Sequence, residues 1–259
     1  MKKISIIIPV YNSALSLDGL NREIDTYFDH KAYVIEKIFV NDFSQDLSYS
    51  VLEEIKAKDS RIKCTYIKRT KVVHLKKNAG QQNAIFCGLH YATGDIILTM
   101  DDDLQHDIAY IDSMLALLDQ GYDLIYGVHA VEENDLRSLG SKMTGRFFKK
   151  NYPALSGKRV SSFRVFKKSL LKEVLACPYG FIYLSALLLK QEPNVANVEI
   201  GKRPRVYGQS GYTLKKLIAL YMKLTFYYGP FVPEILKARR LAYEEIDDAR
   251  CGQLPAKCH

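Results

Sequence analysis

Short runs of branched apolar residues alternate with amphipathic segments through the first half of this 259-residue chain. The amphipathic segments predict helices, listed here in chain order: Leu15–Phe28, Asp46–Lys58, Gln81–Tyr91 and Asp107–Leu118. The apolar runs predict strands, again in chain order: Ile4–Ile8, Ile35–Val40, Val72–His74, Ile96–Met100 and Leu124–Tyr126. Uninterrupted apolar strands separated by helices are typical of a mostly parallel α/β sheet that helices cover on both faces. Ligands bind such sheets at the carboxyl ends of the strands.

The second half of the chain is more helical. It carries two further strand-like runs, Phe163–Phe166 and Val195–Ile200. We place a soft internal boundary near residue 130, where the alternation changes.

Composition limits the class of protein. Hydrophobic residues make up 47% of the chain, which excludes a disordered or low-complexity protein. The five cysteines contain no CxxC pair, so we expect neither a disulfide framework nor a zinc site, and we expect a reducing, cytoplasmic location. The apolar run after Lys2 and Lys3 is too short for a signal peptide, and no stretch approaches the roughly 20 apolar residues of a membrane span.

The chain has a net charge of +8, and its charges are unevenly spread, with two adjacent blocks of opposite sign. Residues 95–135 carry acidic side chains and no Lys or Arg, whereas residues 137–172 carry basic side chains and no Asp or Glu. Each block taken alone can be a solvated face. Together they suit a cation in the first block and an anion in the second, such as a phosphate or an anionic lipid surface. Nucleic acid is the weakest candidate, because the basic block has no recognised nucleic-acid-binding pattern.

Three adjacent carboxylates, Asp101, Asp102 and Asp103, follow a predicted strand, and Gln105 adds another side-chain oxygen. Adjacent carboxylates repel one another, and Mg²⁺ or Mn²⁺ binds through one or two carboxylates together with phosphate oxygens. The alternative is an acidic loop that precedes a helix N-terminus, where carboxylates are also favoured. The triplet by itself leaves both interpretations open.

Two other turns join a predicted strand to a helix. In the first, Asp42 lies at the strand tip, where it could accept a hydrogen bond from a nucleobase, while Asp46 or Ser44 could cap the helix. In the second, Gly80 permits a tight turn or a close approach of an anion to the helix N-terminus. Helix capping and a simple glycine turn are the alternatives.

These motifs, in this order and spacing, resemble glycosyltransferase family 2. The matching segments, over roughly residues 4–220, are IIIPVYN (6–12), FVNDFSQD (39–46), NAGQ (78–81), GD (94–95), DDDLQH (101–106), QGYDLIYGV (120–128), SFRVF (162–166) and RVYGQSGY (205–212). The segments from 120 onward are similar to the branch that transfers sugars to polyisoprenyl phosphates. The resemblance implies a Rossmann-like GT-A fold at 1–212, followed by a helical extension at 213–259 without a membrane span.

The resemblance also implies roles for individual residues. Asp101, Asp103 and Arg205 would be catalytic, with Asp103 and Gln105 binding Mg²⁺ or Mn²⁺. The nucleotide-sugar donor would be bound by Pro9, Tyr11, Asp42, Asn78, Gly80, Asp101, Asp102, Ser210 and Tyr212. The acceptor phosphate and the membrane would be contacted by Arg137, Lys142, Arg146, Arg164 and Arg203.

The sequence departs from the family pattern at several positions. Asn41, Ser13 and Gly211 stand where relatives carry an acidic residue, a glutamate and a lysine; Phe43 replaces a glycine, and Ser161 and Ser162 lie where many relatives have an Asp. A sugar hydroxyl needs a general base, whereas a lipid phosphate is already largely anionic near neutral pH. The lack of an evident base therefore favours a phosphate acceptor.

The leading hypothesis is an inverting transfer of a sugar from a nucleotide sugar to polyprenyl phosphate at the cytoplasmic membrane face. The basic residues between 137 and 150, interleaved with aromatic residues, favour a peripheral helix on that membrane. The alternatives are a family 2 transferase that acts on a saccharide hydroxyl in surface-polysaccharide assembly, and a non-catalytic nucleotide-sugar-binding protein. A homo-oligomer is left open as a further partner.

Overall fold

The computed structural model describes residues 1–61, 69–130, 137–201, 203 and 214–230, and within these it describes only the backbone of 61, 137–143 and 214–216. Seven strands form one sheet: β1 (Lys2–Val10), β2 (Tyr33–Asn41), β3 (Arg69–His74), β4 (Ile96–Thr99), β5 (Leu124–His129), β6 (Arg164–Lys167) and β7 (Val195–Ile200). The α-helices are α1 (Ala14–Phe28), α2 (Ser48–Arg61), α3 (Gln81–His90), α4 (Ile111–Asp119), α5 (Arg137–Asn151), α6 (Leu171–Leu175), α7 (Leu184–Leu189) and α8 (Leu214–Tyr228). The strands and helices predicted from the sequence are confirmed, with ends that shift by a few residues.

The strand order is β3-β2-β1-β4-β6-β5-β7. Strands β1 to β4 are parallel to their neighbours, and β5 is parallel to β7. The exception is β6, which runs antiparallel between β4 and β5. The predicted mostly parallel α/β sheet is therefore confirmed. Strands from both sides of residue 130 join the same sheet.

Both faces of the sheet are covered, which explains why the strands are apolar without alternation. Ile6 and Ile8 of β1 pack into a core with residues of α1, α2 and α4, whereas Ile7 packs into a second core with residues of α3, α5 and α7. Each of these three isoleucines is fully buried.

Strand β2 also carries two buried charges, Glu36 and Lys37, which as neighbours on one strand point to opposite faces. Lys37 Nζ contacts Asp25 of α1 at 2.9 Å and Asp59 of α2 at 2.7 Å. The sequence-based reading of β2 as an apolar strand did not identify either group. Glu36 is compensated in the same way, since Lys71 Nζ contacts its Oε1 at 2.7 Å.

The carboxyl ends of β2, β1 and β4 are neighbours, because these strands are adjacent in the sheet. Each is followed by a turn with one residue in the left-handed region: Asn12 at φ 53°, Phe43 at φ 59° and Leu104 at φ 60°. These turns carry the side chains of the candidate site. Strain of this kind is often found at functional sites.

Candidate active site

The turns after β1 and β2 are joined by polar contacts. Asn12 Oδ1 accepts a hydrogen bond from the Gln45 backbone N–H at 2.7 Å, and Ser44 Oγ accepts one from the Asn12 N–H at 3.0 Å. Asp46 accepts hydrogen bonds from the N–H groups of Ala14 and Ser48, both at 3.0 Å, so it orders the starts of α1 and α2. The predicted capping role of Asp46 is confirmed.

Asp42 joins the turn after β2 to the turn before α3. Its Oδ1 and Oδ2 accept hydrogen bonds from the N–H groups of Ala79 at 2.6 Å and Gly80 at 2.8 Å. The side-chain amide of Asn78 donates to the Asp42 carbonyl at 3.3 Å. Burial raises the pKa of Asp42, although the two backbone N–H groups act in the opposite direction. The structure thus brings Asp42, Asn78 and Gly80 together, as the sequence-based assignment requires.

Gly80 has a φ of 86° and immediately precedes α3, and nothing lies within 4 Å of the place where a Cβ would be. The left-handed backbone explains the glycine, since other residues are strained there. The open space beside it, at the start of a ten-residue helix, leaves this turn accessible.

Two exposed aromatic rings flank this edge of the sheet. Tyr11 is 49% exposed after β1, and Phe43 is 45% exposed after β2. Pro9, the third residue assigned to the nucleoside pocket, is buried within β1 and lies opposite Val40. Pro9 therefore lies in the strand beneath the turn, and the ring of Tyr11 is exposed above it.

Asp101 is held from several directions within the protein. Its Oδ1 accepts a hydrogen bond from Gln81 Nε2 and its Oδ2 from Ser162 Oγ, both at 2.7 Å. Its backbone N–H donates to His106 Nδ1 at 3.2 Å, which places the His106 proton on Nε2, 3.8 Å from Asp101 Oδ2. The sequence reasoning did not assign Gln81, Ser162 or His106 to the site, although all three lie within the quoted motifs.

Asp102 joins the turn after β4 to the turn after β1. Its Oδ2 accepts a hydrogen bond from the Tyr11 N–H at 3.2 Å, and it also bonds the Ser13 side chain. Burial raises the pKa of Asp102 to about 6, and the neighbouring Asp101 and Asp103 add to that rise. Ser13, which replaces the family's glutamate, thus has a contact in this chain.

Asp103 and Gln105 form the proposed metal-binding part of the loop. Asp103 Oδ1 accepts a hydrogen bond from the Gln105 N–H at 3.2 Å, which orients the carboxylate. Within the described ranges, no three His, Cys, Asp or Glu side chains are grouped so that they could hold a metal by themselves. Carboxylate and amide oxygens fit Mg²⁺ or Mn²⁺ provided that diphosphate oxygens complete the coordination. The residues present are therefore compatible with a cation that arrives with the donor.

The basic residues assigned to the acceptor belong to three parts of the chain: Arg137, Lys142 and Arg146 to α5, Arg164 to β6, and Arg203 to the segment after β7. Arg146 is exposed on α5, and the described structure includes only the backbone of Arg137 and Lys142. Arg203 contacts Glu23 at 2.5 Å and Asp107 at 2.7 Å, so its guanidinium pairs with carboxylates of the protein. Arg205, Ser210 and Tyr212 lie outside the described residues.

The predicted membrane contact of Arg164 is contradicted by the structure. Arg164 is 2% exposed on β6, between β4 and β5. Its Nη1 donates to Ser185 Oγ at 2.9 Å, and its guanidinium carbon lies 5.7 Å from the centre of the Tyr126 ring. This burial could not be predicted from the sequence, because arginines are usually exposed and β6 is a short antiparallel insertion.

Comparison with known proteins identifies the family. The model of glycosyl transferase family 2 matches residues 5–175, which is more than half of the chain. The structure is similar to glucosyl-3-phosphoglycerate synthase from Mycobacterium tuberculosis in complex with Mn²⁺, UDP and glucosyl-3-phosphoglycerate, with 16% identity, a TM-score of 0.63, and coverage of 95% of this chain and 86% of that chain. The complex of the same synthase with Mn²⁺, UDP-glucose and phosphoglyceric acid is 17% identical, with a TM-score of 0.60, and the match covers 86% of this chain and 77% of that chain.

At these identities the structural likeness establishes the fold, which agrees with the seven-stranded mixed sheet described above. The family match covers β1 to β6, including Asp42 and the triplet Asp101 to Asp103. The chain therefore belongs to glycosyltransferase family 2 and is a glycosyltransferase of the GT-A fold.

Proposed function

We propose that this glycosyltransferase binds a nucleotide-sugar donor with a divalent cation and transfers the sugar, with inversion, to the phosphate of a polyprenyl phosphate. The observation that carries the donor half is the meeting of four turns, those after β1, β2, β3 and β4, at one edge of the sheet. Asp42 contacts Gly80 there, and Asp102 contacts Tyr11. The named donor and Mn²⁺ complexes of the structurally similar synthase support the same half.

The cation would be held by Asp103 and Gln105. When bound, Mg²⁺ or Mn²⁺ supplies positive charge that stabilises the diphosphate leaving group. Gln81 and Ser162 keep the Asp101 carboxylate in a fixed orientation through hydrogen bonds to its two oxygens. The exposed rings of Tyr11 and Phe43 offer faces on which a nucleobase can stack.

The acceptor half is supported by the residues next to the triplet, which are serines and not a carboxylate that could act as a general base. Ser161 and Ser162 precede β6 where many relatives carry an Asp, and the Ser162 hydroxyl donates to Asp101. A hydroxyl that donates to a carboxylate does not serve as a general base. An acceptor phosphate that is already anionic needs no strong base, which favours it over a saccharide hydroxyl.

A peripheral location at the cytoplasmic face of the membrane is the second part of the proposal. Ile218, Met222 and Phe226 lie along one face of α8 and are 45%, 65% and 42% exposed. Helix α8 packs against α5, since the rings of Tyr221 and Phe147 lie 6.4 Å apart. Helix α5 carries three exposed basic residues: Arg146, Lys149 and Lys150. No helix in the described part of the chain is both long and apolar enough to cross a membrane.

The acceptor is tested with radiolabelled nucleotide sugars, Mn²⁺, and three acceptors supplied separately: undecaprenyl phosphate in vesicles, phosphoglyceric acid and a soluble oligosaccharide. We expect labelled lipid with the first acceptor only. Labelled phosphoglyceric acid would instead place this chain with the synthase of similar fold, and labelled oligosaccharide would support the hydroxyl-acceptor alternative. Donor binding without any transfer would support a non-catalytic protein.

A pair of matched carboxylate variants tests whether the assigned site catalyses sugar transfer. Asp103→Ala should lower turnover by about a hundredfold or more, since it removes a ligand of the charge-stabilising cation. Asp119→Ala, an exposed carboxylate that pairs with Lys2 at the end of α4, should leave turnover unchanged. Equal activity in both variants would refute the assignment.

Membrane binding is measured by co-sedimentation with phosphatidylglycerol vesicles and with phosphatidylcholine vesicles. We expect binding to the anionic vesicles, and loss of binding when Met222 and Phe226 are both replaced by Asp. Leu15→Asp changes a residue that is 76% exposed at the start of α1 and is the control. Unchanged sedimentation of the double variant would refute the membrane surface.

A further inference from the structure

Arg164 presents an unusual combination of charge and burial. It is among the largest fully buried side chains, and no carboxylate of the described residues hydrogen-bonds its guanidinium. The hydrogen bonds that the structure gives it go to neutral oxygens, Ser185 Oγ at 2.9 Å and the Ser162 carbonyl at 3.4 Å. Burying a cation without a compensating charge is strongly unfavourable.

Burial lowers the pKa of Arg164, whereas the charges of Tyr126, Tyr183 and Asp101 act to raise it, and Asp101 is the carboxylate among these neighbours. Arg164 and Asp101 are linked by Ser162, whose hydroxyl donates to Asp101 Oδ2 at 2.7 Å while its carbonyl accepts from Arg164 Nε. The same carbonyl accepts a hydrogen bond from Thr99 Oγ1 at 2.6 Å, at the end of β4. Ser162 is thus fixed between the buried cation and the first aspartate of the triplet.

A positive charge near Asp101 would stabilise its carboxylate. Asp101 is followed directly by Asp102 and Asp103, and three adjacent carboxylates repel one another. A cation beneath the loop offsets that repulsion from inside the protein, whereas a metal ion would do so from the ligand side. The requirements of Arg164 and Asp101 are therefore complementary.

We propose that Arg164 is a positioning residue, which acts through Ser162 to hold the Asp101 carboxylate in place and so prepares the loop for the cation and the donor diphosphate. This deepens the proposed function, because it assigns to Arg164 a part in donor binding in place of contact with the acceptor phosphate or the membrane. The coupling between Arg164 and Asp101 does not itself require any ligand.

The coupling is tested by a double-mutant cycle in urea unfolding, with Asp101→Asn made in the wild-type and in the Arg164→Met background. In the wild type, Asp101→Asn removes the charge that compensates Arg164 and should lower the urea midpoint. In the Arg164→Met background the loss should fall to less than half or reverse, because only the relief of carboxylate repulsion remains. Asp101→Asn also alters the hydrogen bond from Gln81, but this effect is the same in both backgrounds and cancels in the cycle.

Asp102→Asn is the matched control, since the contacts of Asp102 go to Tyr11 and Ser13. Its effect on the midpoint should be the same in both backgrounds. An equal effect of Asp101→Asn in the two backgrounds would overturn the proposal. If Arg164→Met does not fold, the cycle is run with Arg164→Gln, which also removes the charge, and an equal effect of Asp101→Asn in the two backgrounds again overturns the proposal.

Ligand binding provides the second readout, with Mn²⁺ alone and Mn²⁺ with UDP measured by calorimetry on folded protein. We expect Arg164→Met to weaken binding by about tenfold or more and Arg164→Lys to recover most of it, as for residues that orient metal ligands. Ser185→Ala removes the other hydrogen bond of Arg164 and should bind normally. Normal binding by Arg164→Met would overturn the proposal. A wild-type protein that binds neither probe would count against the proposed donor chemistry, while the unfolding cycle still decides the coupling.

Discussion

Glu36 provides a buried charge whose contribution to stability can be worked out from its surroundings. It lies 1% exposed on β2, where Lys71 Nζ contacts its Oε1 at 2.7 Å, and its Oε2 accepts hydrogen bonds from Ser5 Oγ at 2.7 Å and from the Thr93 N–H at 2.9 Å. Burial by itself would raise the pKa of Glu36, but Lys71, Ser5 and Thr93 outweigh it and lower the pKa from its ordinary value of 4.5 to about 2. The carboxylate therefore binds its proton less readily in the folded chain than in the unfolded chain.

A pKa lowered by about 2.5 units contributes about 3 kcal/mol to the free energy of unfolding near neutral pH. Because the folded pKa is the lower one, this contribution is present above a pH of about 4.5 and is lost as the pH falls towards about 2. At a pH of about 3.5 the same relation leaves about 2 kcal/mol. The Glu36→Gln variant keeps the size of the side chain and removes its charge.

We expect Glu36→Gln to lower the free energy of unfolding by about 3 kcal/mol near neutral pH, as is usual when one partner of a buried pair is removed. The difference from wild type should narrow as the pH falls from about 6 to about 3.5, because the wild-type carboxylate gains its proton. Urea unfolding of both proteins at several pH values measures this difference in the free energy of unfolding. Asp119→Asn, in an exposed pair with Lys2, should change stability by less than about 1 kcal/mol. A deficit for Glu36→Gln that is constant with pH would refute the reasoning.

Other substitutions test other parts of the fold and site. Lys37→Met leaves two carboxylates without their buried cation and should cost about 3–5 kcal/mol in urea unfolding, whereas Lys31→Met breaks a more exposed pair and should cost less than about 1 kcal/mol. Gly94→Ala puts a Cβ 2.6 Å from a backbone nitrogen and should lower the melting temperature, while Gly145→Ala, with nothing within 4 Å, should raise it slightly. Phe43→Gly should change the free energy of unfolding by no more than about 1 kcal/mol, because relief of the left-handed strain at Phe43 offsets the greater entropy of the unfolded chain. The same variant should bind UDP with Mn²⁺ more weakly in calorimetry. Unchanged binding would exclude the Phe43 ring from the donor pocket.

The alternation of apolar and amphipathic segments was sufficient to predict the fold class. Continuous apolar runs such as Ile4–Ile8 must be buried on both faces, and only a helix-covered sheet does this. The carboxyl-end rule then located Asp42 and the triplet Asp101 to Asp103 at one edge, and the structure places both there. The motif order further identified the family, because each motif lies in a turn that the parallel topology brings to that edge.

What the sequence did not determine depends on contacts between residues far apart in the chain. Arg164 follows Asp101 by 63 positions along the chain, and it became a buried neighbour only because β6 inserts antiparallel between β4 and β5. Charge patterning treated Arg164 as one more cation of the basic block, since a linear pattern does not say which face of a strand is covered. The burial of Glu36 and Lys37 was likewise not predicted, because the sequence analysis treated β2 as an apolar strand. The local periodicity of the chain therefore determined the elements and the edge where the turns meet, and tertiary packing alone decided which charges are buried, because burial and pairing are set by partners that other strands and helices supply.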